Sequence, residues 1–149
     1  MNLSKLAYGD FVQGRGAVGL LVLRLVAGLA FMFHGWGKIQ NPLSWMGPEA
    51  DMPALLQALA ALSEFGGGLA WILGALTPLC SLGIFCTMAV AIHMHAVVLG
   101  DPFVGRQGSF ESPLVYLCLA LLFILIGPGR WSVDAILFKK RDRPDVVKE

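Results

Sequence analysis

VGLLVLRLVAGLAFMFHGWG, residues 18–37, is an almost unbroken apolar stretch. As an α-helix it extends about 30 Å at 1.5 Å per residue, the thickness of a bilayer's hydrocarbon core. It is too long for the apolar region of a secretion signal and no small-x-small cleavage site follows it, so it is expected to be retained as a span. Arg24 and His34 interrupt it, and Lys38 follows it directly.

Three further segments repeat the pattern. Residues 53–76 open on Pro53, a residue suited to the start of a helix. Residues 79–99 follow after only Thr77-Pro78, so the second and third helices are expected to form a tight antiparallel hairpin. Residues 112–127 make a shorter fourth span, ended by Gly127-Pro128-Gly129. Ser132 then suits the cap of a short interfacial helix over 132–138, with Asp134 in its first turn. The expected fold is all-α, a transmembrane four-helix bundle with a short C-terminal interfacial helix, forming one integral membrane domain over 1–149.

Composition supports this reading. Hydrophobic residues make up 56% and charged residues 14%, against about 25% charged in soluble domains. A net charge of +1 with no basic stripe argues against a nucleic-acid partner. Cys80, Cys86 and Cys118 all lie in apolar runs and form no C-x-x-C pair, so they are expected to be buried thiols.

Basic residues set the expected orientation. Lys5 and Arg15 precede the first span, while Arg130, Lys139, Lys140, Arg141, Arg143 and Lys148 follow the last. The loop from Gln40 to Met52 carries only acidic charges, and the loop from Gly100 to Ser112 carries one cation, Arg106. Both termini are therefore expected on the cytoplasmic side.

Ionisable groups at membrane depth are costly, so they tend to face the bundle interior and to mark function. On the first helix Arg24, Gly28, Phe31, Gly35 and Lys38 share a stripe, with His34 at its margin. Counting depth along the helices puts Arg24 near Glu64, and the two are expected to interact. Small residues at helical spacing mark contact faces. Gly66, Ala70 and Gly74 form one such line. Cys86, Ala89, His93 and Ala96 form another, which turns His93 inward and leaves His95 beside Met88 and Leu99. His34, His93, His95, Lys38 and Glu111 then reach one level in the outer half. Imidazoles beside a carboxylate suit proton exchange, and each residue alone also has a packing or snorkelling explanation. His93 and His95 point to different faces of a regular helix, so no metal site is expected. One of them with His34 could supply two axial haem ligands, a reading favoured less.

The order and spacing of these residues resemble the DoxX family of small membrane proteins, including the DoxD-like subunits of thiosulfate:quinone oxidoreductase. The resemblance rests on Leu23-Arg24-Leu25, Gly28, His34-Gly35 and Lys38 in the first helix. It continues through Glu64, Gly67-Gly68, Gly74 and Thr77-Pro78, then Glu111, Tyr116, Gly127-Pro128-Gly129-Arg130, Ser132 and Asp134. It covers about Leu20 to Leu137. It implies a four-helix bundle in a prokaryotic cytoplasmic (inner) membrane and redox work in which electrons pass to quinone.

Two functions fit. In the first, the chain is a quinone-linked oxidoreductase subunit. His34, Glu64 and His93 would handle protons, and Arg24, Lys38, His95 and Glu111 would bind. Phe31, Phe33, Trp36 and Phe65 would shape an apolar slot, and a bound cofactor or a soluble or membrane partner protein would supply electrons. Gly28, Gly35, Gly67, Gly74, Gly127, Pro128, Gly129 and Asp134 would be structural. In the second, the chain is a non-catalytic scaffold or small permease subunit in which the same charges lock the bundle. Trp45 places the loop 41–52 at the membrane interface.

Overall fold

A computed structural model describes Tyr8 and residues 10–138. The charged segment from Lys139 onward, expected to be a mobile tail, lies outside the described residues, as does Lys5. The described chain is helical, with no strand: α1 Gly14–Gln40, α2 Ala54–Leu73, α3 Thr77–His93, α4 Glu111–Ile126 and α5 Val133–Phe138. One π-helical turn, Met94–Val98, extends α3.

Three of these helices are long and apolar enough to cross a bilayer; α4 is a shorter apolar helix. At 16 residues, α4 rises about 24 Å, short of the usual core thickness. The bundle is inverted relative to a soluble protein. Val22, Val26, Leu29 and Phe33 on α1 and Val115 and Leu125 on α4 are exposed, whereas Arg24, Gln57, Glu64, Thr77, Ser81 and Asp134 are buried. Lipid solvates such an apolar exterior, and the interior satisfies the polar groups that lipid cannot.

Glycines set the α1–α2 contact. A β-carbon on Gly28 would meet the Gly68 carbonyl oxygen at 2.6 Å, and one on Gly35 would meet the Phe65 backbone nitrogen at 2.5 Å. The two antiparallel backbones therefore touch, the close approach that small residues allow in membranes. On the other side of α2, Gly67 lies against Ile84 of α3. The expected Gly66 line is thus displaced: Gly66 meets only Leu62 of its own helix, and the contacts are made by Gly67 and Gly68. Between the helices stands an aromatic column. The Trp71 ring meets Phe31 edge-on at 5.4 Å and Phe123 at 4.9 Å, and its indole N–H donates to Ser81 Oγ at 2.8 Å.

The α2–α3 hairpin turns at Gly74 (φ +65°) and Leu76 (φ +48°). Leu76 pays the left-handed penalty of about 1–2 kcal/mol for an L-residue. Asp134 offsets it from a distance. Its carboxylate accepts the backbone N–H groups of Leu76 at 2.7 Å and Thr77 at 2.9 Å, while its own N–H donates to Gly74 O at 2.9 Å. The Asp134 side chain therefore caps α3 rather than its own helix. Ser132 caps α5, accepting the Ala135 N–H at 3.1 Å and donating to Gly129 O at 2.7 Å. Gly127 and Gly129 both take positive φ, which is how the Gly-Pro-Gly stop reverses the chain.

Candidate functional site

At the end of the bundle away from Gly14 and Ile126, side chains of all four helices line an open cavity of about 290 Å³. Phe31, His34 and Lys38 reach it from α1, Glu64 from α2, and Met88 and Ala91 from α3. His95 enters from the π turn, Ser109 from the loop before α4, and Ser112, Pro113 and Tyr116 from α4 itself.

The central polar pair is Lys38 and Glu64. The ammonium donates to Glu64 Oε1 at 2.5 Å, and the two side chains are 26% and 5% exposed. This replaces the expected Arg24–Glu64 interaction. The Gly28–Gly68 contact fixes the register, and Arg24 falls level with the last turn of α2, two turns of helix from Glu64. Side chains on a helix lean toward its N-terminus. On antiparallel helices Lys38 and Glu64 therefore lean toward each other, while Arg24 leans away toward the hairpin. There its guanidinium donates to four carbonyls: Trp71 at 2.7 Å, Ile72 at 3.1 Å, Pro128 at 2.7 Å and Trp131 at 2.9 Å. The first two lie in the last turn of α2, where helix carbonyls lack a following turn to pair with; Trp71 O also accepts the Gly74 N–H at 3.1 Å. Gly74 is glycine partly because a β-carbon there would lie 2.8 Å from Arg24 Cζ. Arg24 is a structural clamp, and it does not reach the cavity.

Only one oxygen of Glu64 is satisfied. Oε2 is buried with no hydrogen-bond partner. Such an acceptor carries a desolvation cost of about 1–3 kcal/mol, or more for a charged group.

Above the pair, loop 41–52 folds inward. Gln57, buried near the start of α2, holds it: its side chain accepts Met46 N–H at 3.1 Å and donates to Met52 O at 2.8 Å, and its carbonyl accepts the Trp45 indole N–H at 2.9 Å. The Trp45 ring then lies 4.5 Å from Lys38 Nζ, a cation–π contact.

The histidines are distributed differently from the sequence expectation. Thr77, Ser81, Ile84 and Met88 form the buried face of α3. That spacing carries on through Ala91 to His95. Cys86, Ala89 and His93 are exposed on the opposite face. His93 therefore leaves the site, and its expected inward stripe was small residues facing lipid. His95 lines the cavity, and its Nδ1 lies 2.7 Å from Asp101 Oδ2. His34 also lines it, with its ring 6.4 Å from that of Tyr116. Glu111, expected in this cluster, is the exposed first residue of α4 and does not line the cavity. Of the expected slot aromatics, Phe31 reaches the cavity, whereas Phe33 and Trp36 are exposed and Phe65 packs on Trp36. Cys86 and Cys118, expected to be buried, are exposed on the outer surface and Cys80 is half-buried. Among the described residues, no three His, Cys, Asp or Glu side chains gather as metal ligands.

Asp101 was missed as a site residue. Its only sequence signal was a lone carboxylate shortly after a helical histidine. Tyr116 figured in the resemblance without a role, and its place on the cavity depends on how α4 docks.

The DoxX family model matches residues 19–98, which carry Arg24, Lys38, Glu64 and His95. The chain belongs to the DoxX family. Among its relatives is the inner membrane protein YqjF of Escherichia coli, 34% identical over 134 residues, covering 83% of this chain and 95% of that one. An uncharacterized membrane protein of Mycobacterium tuberculosis is 28% identical over 143 residues, covering 87% of each chain. A Bacillus subtilis protein named "Putative oxidoreductase CatD" is 24% identical over 132 residues, covering 87% of this chain and 94% of that one. No solved structure matches this DoxX chain. Its apolar helices place it in a lipid bilayer.

Proposed function

We propose that this DoxX protein is the quinone-handling subunit of a membrane oxidoreductase. The observation that carries the reading is Glu64: a buried carboxylate, half-satisfied by Lys38, on the wall of a cavity whose apolar lining is Phe31, Met88, Ala91 and Pro113. At about 290 Å³, the cavity lies at the low end of the range for small-molecule sites, about 300–1,000 Å³. It suits a planar head group whose isoprenoid tail stays in lipid. A quinone becomes a quinol by accepting two electrons and two protons. The electrons would come from a reduced partner protein. Lys38, held in place by Glu64, can donate a hydrogen bond to a ring oxygen. His34, one turn from Lys38 on α1, and Tyr116 of α4 also line the cavity. The name of the B. subtilis relative supports redox work in the family.

The same reading puts the chain in a prokaryotic inner membrane with both termini cytoplasmic, where Arg15 and Arg130 flank the spans. The cavity then opens toward the outer face. A permease is less well supported, because the Phe31–Trp71–Phe123 stack and Arg24 fill the bundle below the cavity.

The test is quinone content and ubiquinone-1 binding in purified protein, beside Glu64→Gln and Lys38→Met variants. Bound quinone in the parent, lost from variants that remain folded, is the expected result. A parent that neither retains quinone nor binds ubiquinone-1 would transfer the assignment to a scaffold.

A further inference from the structure

We propose that His95 is the proton-exchange group of this cavity and that Asp101 is its positioning residue. The proposal deepens the quinone reading and rests on it.

The chain grips Asp101 at two points. After α3 the helix widens into the π turn, closed by Leu99 N–H donating to Met94 O at 2.9 Å. Single π turns recur at functional sites. The next residues fold back so that the Asp101 N–H donates to His95 O at 2.8 Å while its carboxylate meets His95 Nδ1 at 2.7 Å. Behind the carboxylate stands Gly108, where a β-carbon would lie 2.6 Å from Oδ1. The carboxylate is thus held between an imidazole and a glycine that leaves room for it.

The chemistry follows from the donor inventory. An ionised carboxylate only accepts, so the proton of a neutral His95 sits on Nδ1 and Nε2 keeps its lone pair. Nε2 is then the nitrogen free to exchange. It takes a proton from water, and that N–H bond breaks as an O–H bond forms on the cavity occupant. Asp101 steadies the imidazolium between the two events. The other ionisable groups on the cavity are His34 and Lys38 of α1, Glu64 of α2 and Tyr116 of α4. Lys38 and Glu64 engage each other, which leaves His95 with a carboxylate of its own at the loop. Asp101 is 23% exposed and His95 38%, so the pair bridges cavity and water.

The test uses the full chain in lipid nanodiscs with ¹⁵N-labelled histidine. The three histidines are assigned by His34→Gln, His93→Gln and His95→Gln. Neutral His95 is expected as the Nδ1–H tautomer, and ubiquinone-1 should shift its Nε2 resonance. Asp101→Asn supplies an amide that can also donate, so the other tautomer should appear. In native membranes of a deletion strain carrying each variant, kcat for ubiquinone-1 reduction should fall about 10- to 100-fold for Asp101→Asn, with KM within about twofold. Gly108→Ala should act in the same direction by pushing the carboxylate off the ring. Asp101→Glu should recover much of the loss. An Nε2–H tautomer in the parent, or a parental kcat in Asp101→Asn, overturns the proposal. No Nε2 shift in a parent that reduces ubiquinone-1 removes the proton role and leaves the quinone reading standing. A parent that neither binds nor reduces ubiquinone-1 sinks both.

Discussion

Lys38 and Glu64 meet at 2.5 Å across the α1–α2 contact, with the carboxylate buried and the ammonium covered by the Trp45 ring. Removing one member of such a pair strands the other. Lys38→Met is expected to cost about 2–4 kcal/mol, and the double variant Lys38→Met/Glu64→Met less than Lys38→Met alone, because no buried charge remains. A double-mutant cycle on unfolding in detergent measures this. Equal losses in the single and double variants would show that the ion pair is not what holds the site.

Gly35 lies one turn from Lys38 and touches the Phe65 backbone. Gly35→Ala should wedge α1 from α2 and lengthen the Lys38–Glu64 contact while leaving the Arg24 clamp in place. The expected readout is loss of ubiquinone-1 binding with the helical circular dichroism retained. Parental binding in Gly35→Ala would mean the backbones can part without disturbing the pair.

Arg24 serves four carbonyls from one planar fork. Lysine concentrates its donors on a single atom and cannot span them. Arg24→Lys should therefore destabilise the protein by about 2–4 kcal/mol, seen as a lower midpoint in thermal unfolding. Trp71 fluorescence should change with it, since Trp71 provides one of the carbonyls. Charge alone would be the relevant property if Arg24→Lys proved neutral.

Tyr8 lies outside the spans, and its hydroxyl donates to Asp134 Oδ1 at 3.3 Å. Burial first, and then the Asp134 charge, push its pKa up to about 12 from the usual 10.0. The folded state therefore holds this proton more tightly than the unfolded state. The stability this confers is complete below about pH 10 and is lost as pH rises toward 12. In a Tyr116→Phe background Tyr8 is the remaining tyrosine, so phenolate absorbance reports it alone. Adding Asp134→Asn should move that titration down. An unshifted curve would mean that Asp134 does not act on Tyr8.

Much of the bundle was legible in order along the chain. Apolar runs of spanning length, a tight hairpin near residue 77 and the Gly127-Pro128-Gly129 stop are local signals, although the turn itself falls at Gly74–Leu76 and Thr77-Pro78 opens α3 instead, as proline suits a first helical turn. The partners of the buried charges were not legible. Depth counted from assumed helix ends put Arg24 beside Glu64, because a shift of a few residues along a helix moves a side chain by a whole turn. The orientation of α3 was misjudged for a related reason. Its small residues Cys86 and Ala89 face lipid, while the contact with α2 is made by Ile84 against Gly67 and by Ser81 against Trp71.

The sequence by itself determined a chain of apolar helices with polar groups too few and too deeply placed to be accidental, since lipid allows little else of such composition. Only the tertiary structure decided which polar group meets which. The Gly28–Gly68 and Gly35–Phe65 contacts set the register that sends Lys38 to Glu64 and Arg24 to the hairpin carbonyls. The fold-back after the π turn brings Asp101 to His95. Backbone contact between helices fixes these partnerships, and no periodicity within one helix carries that information.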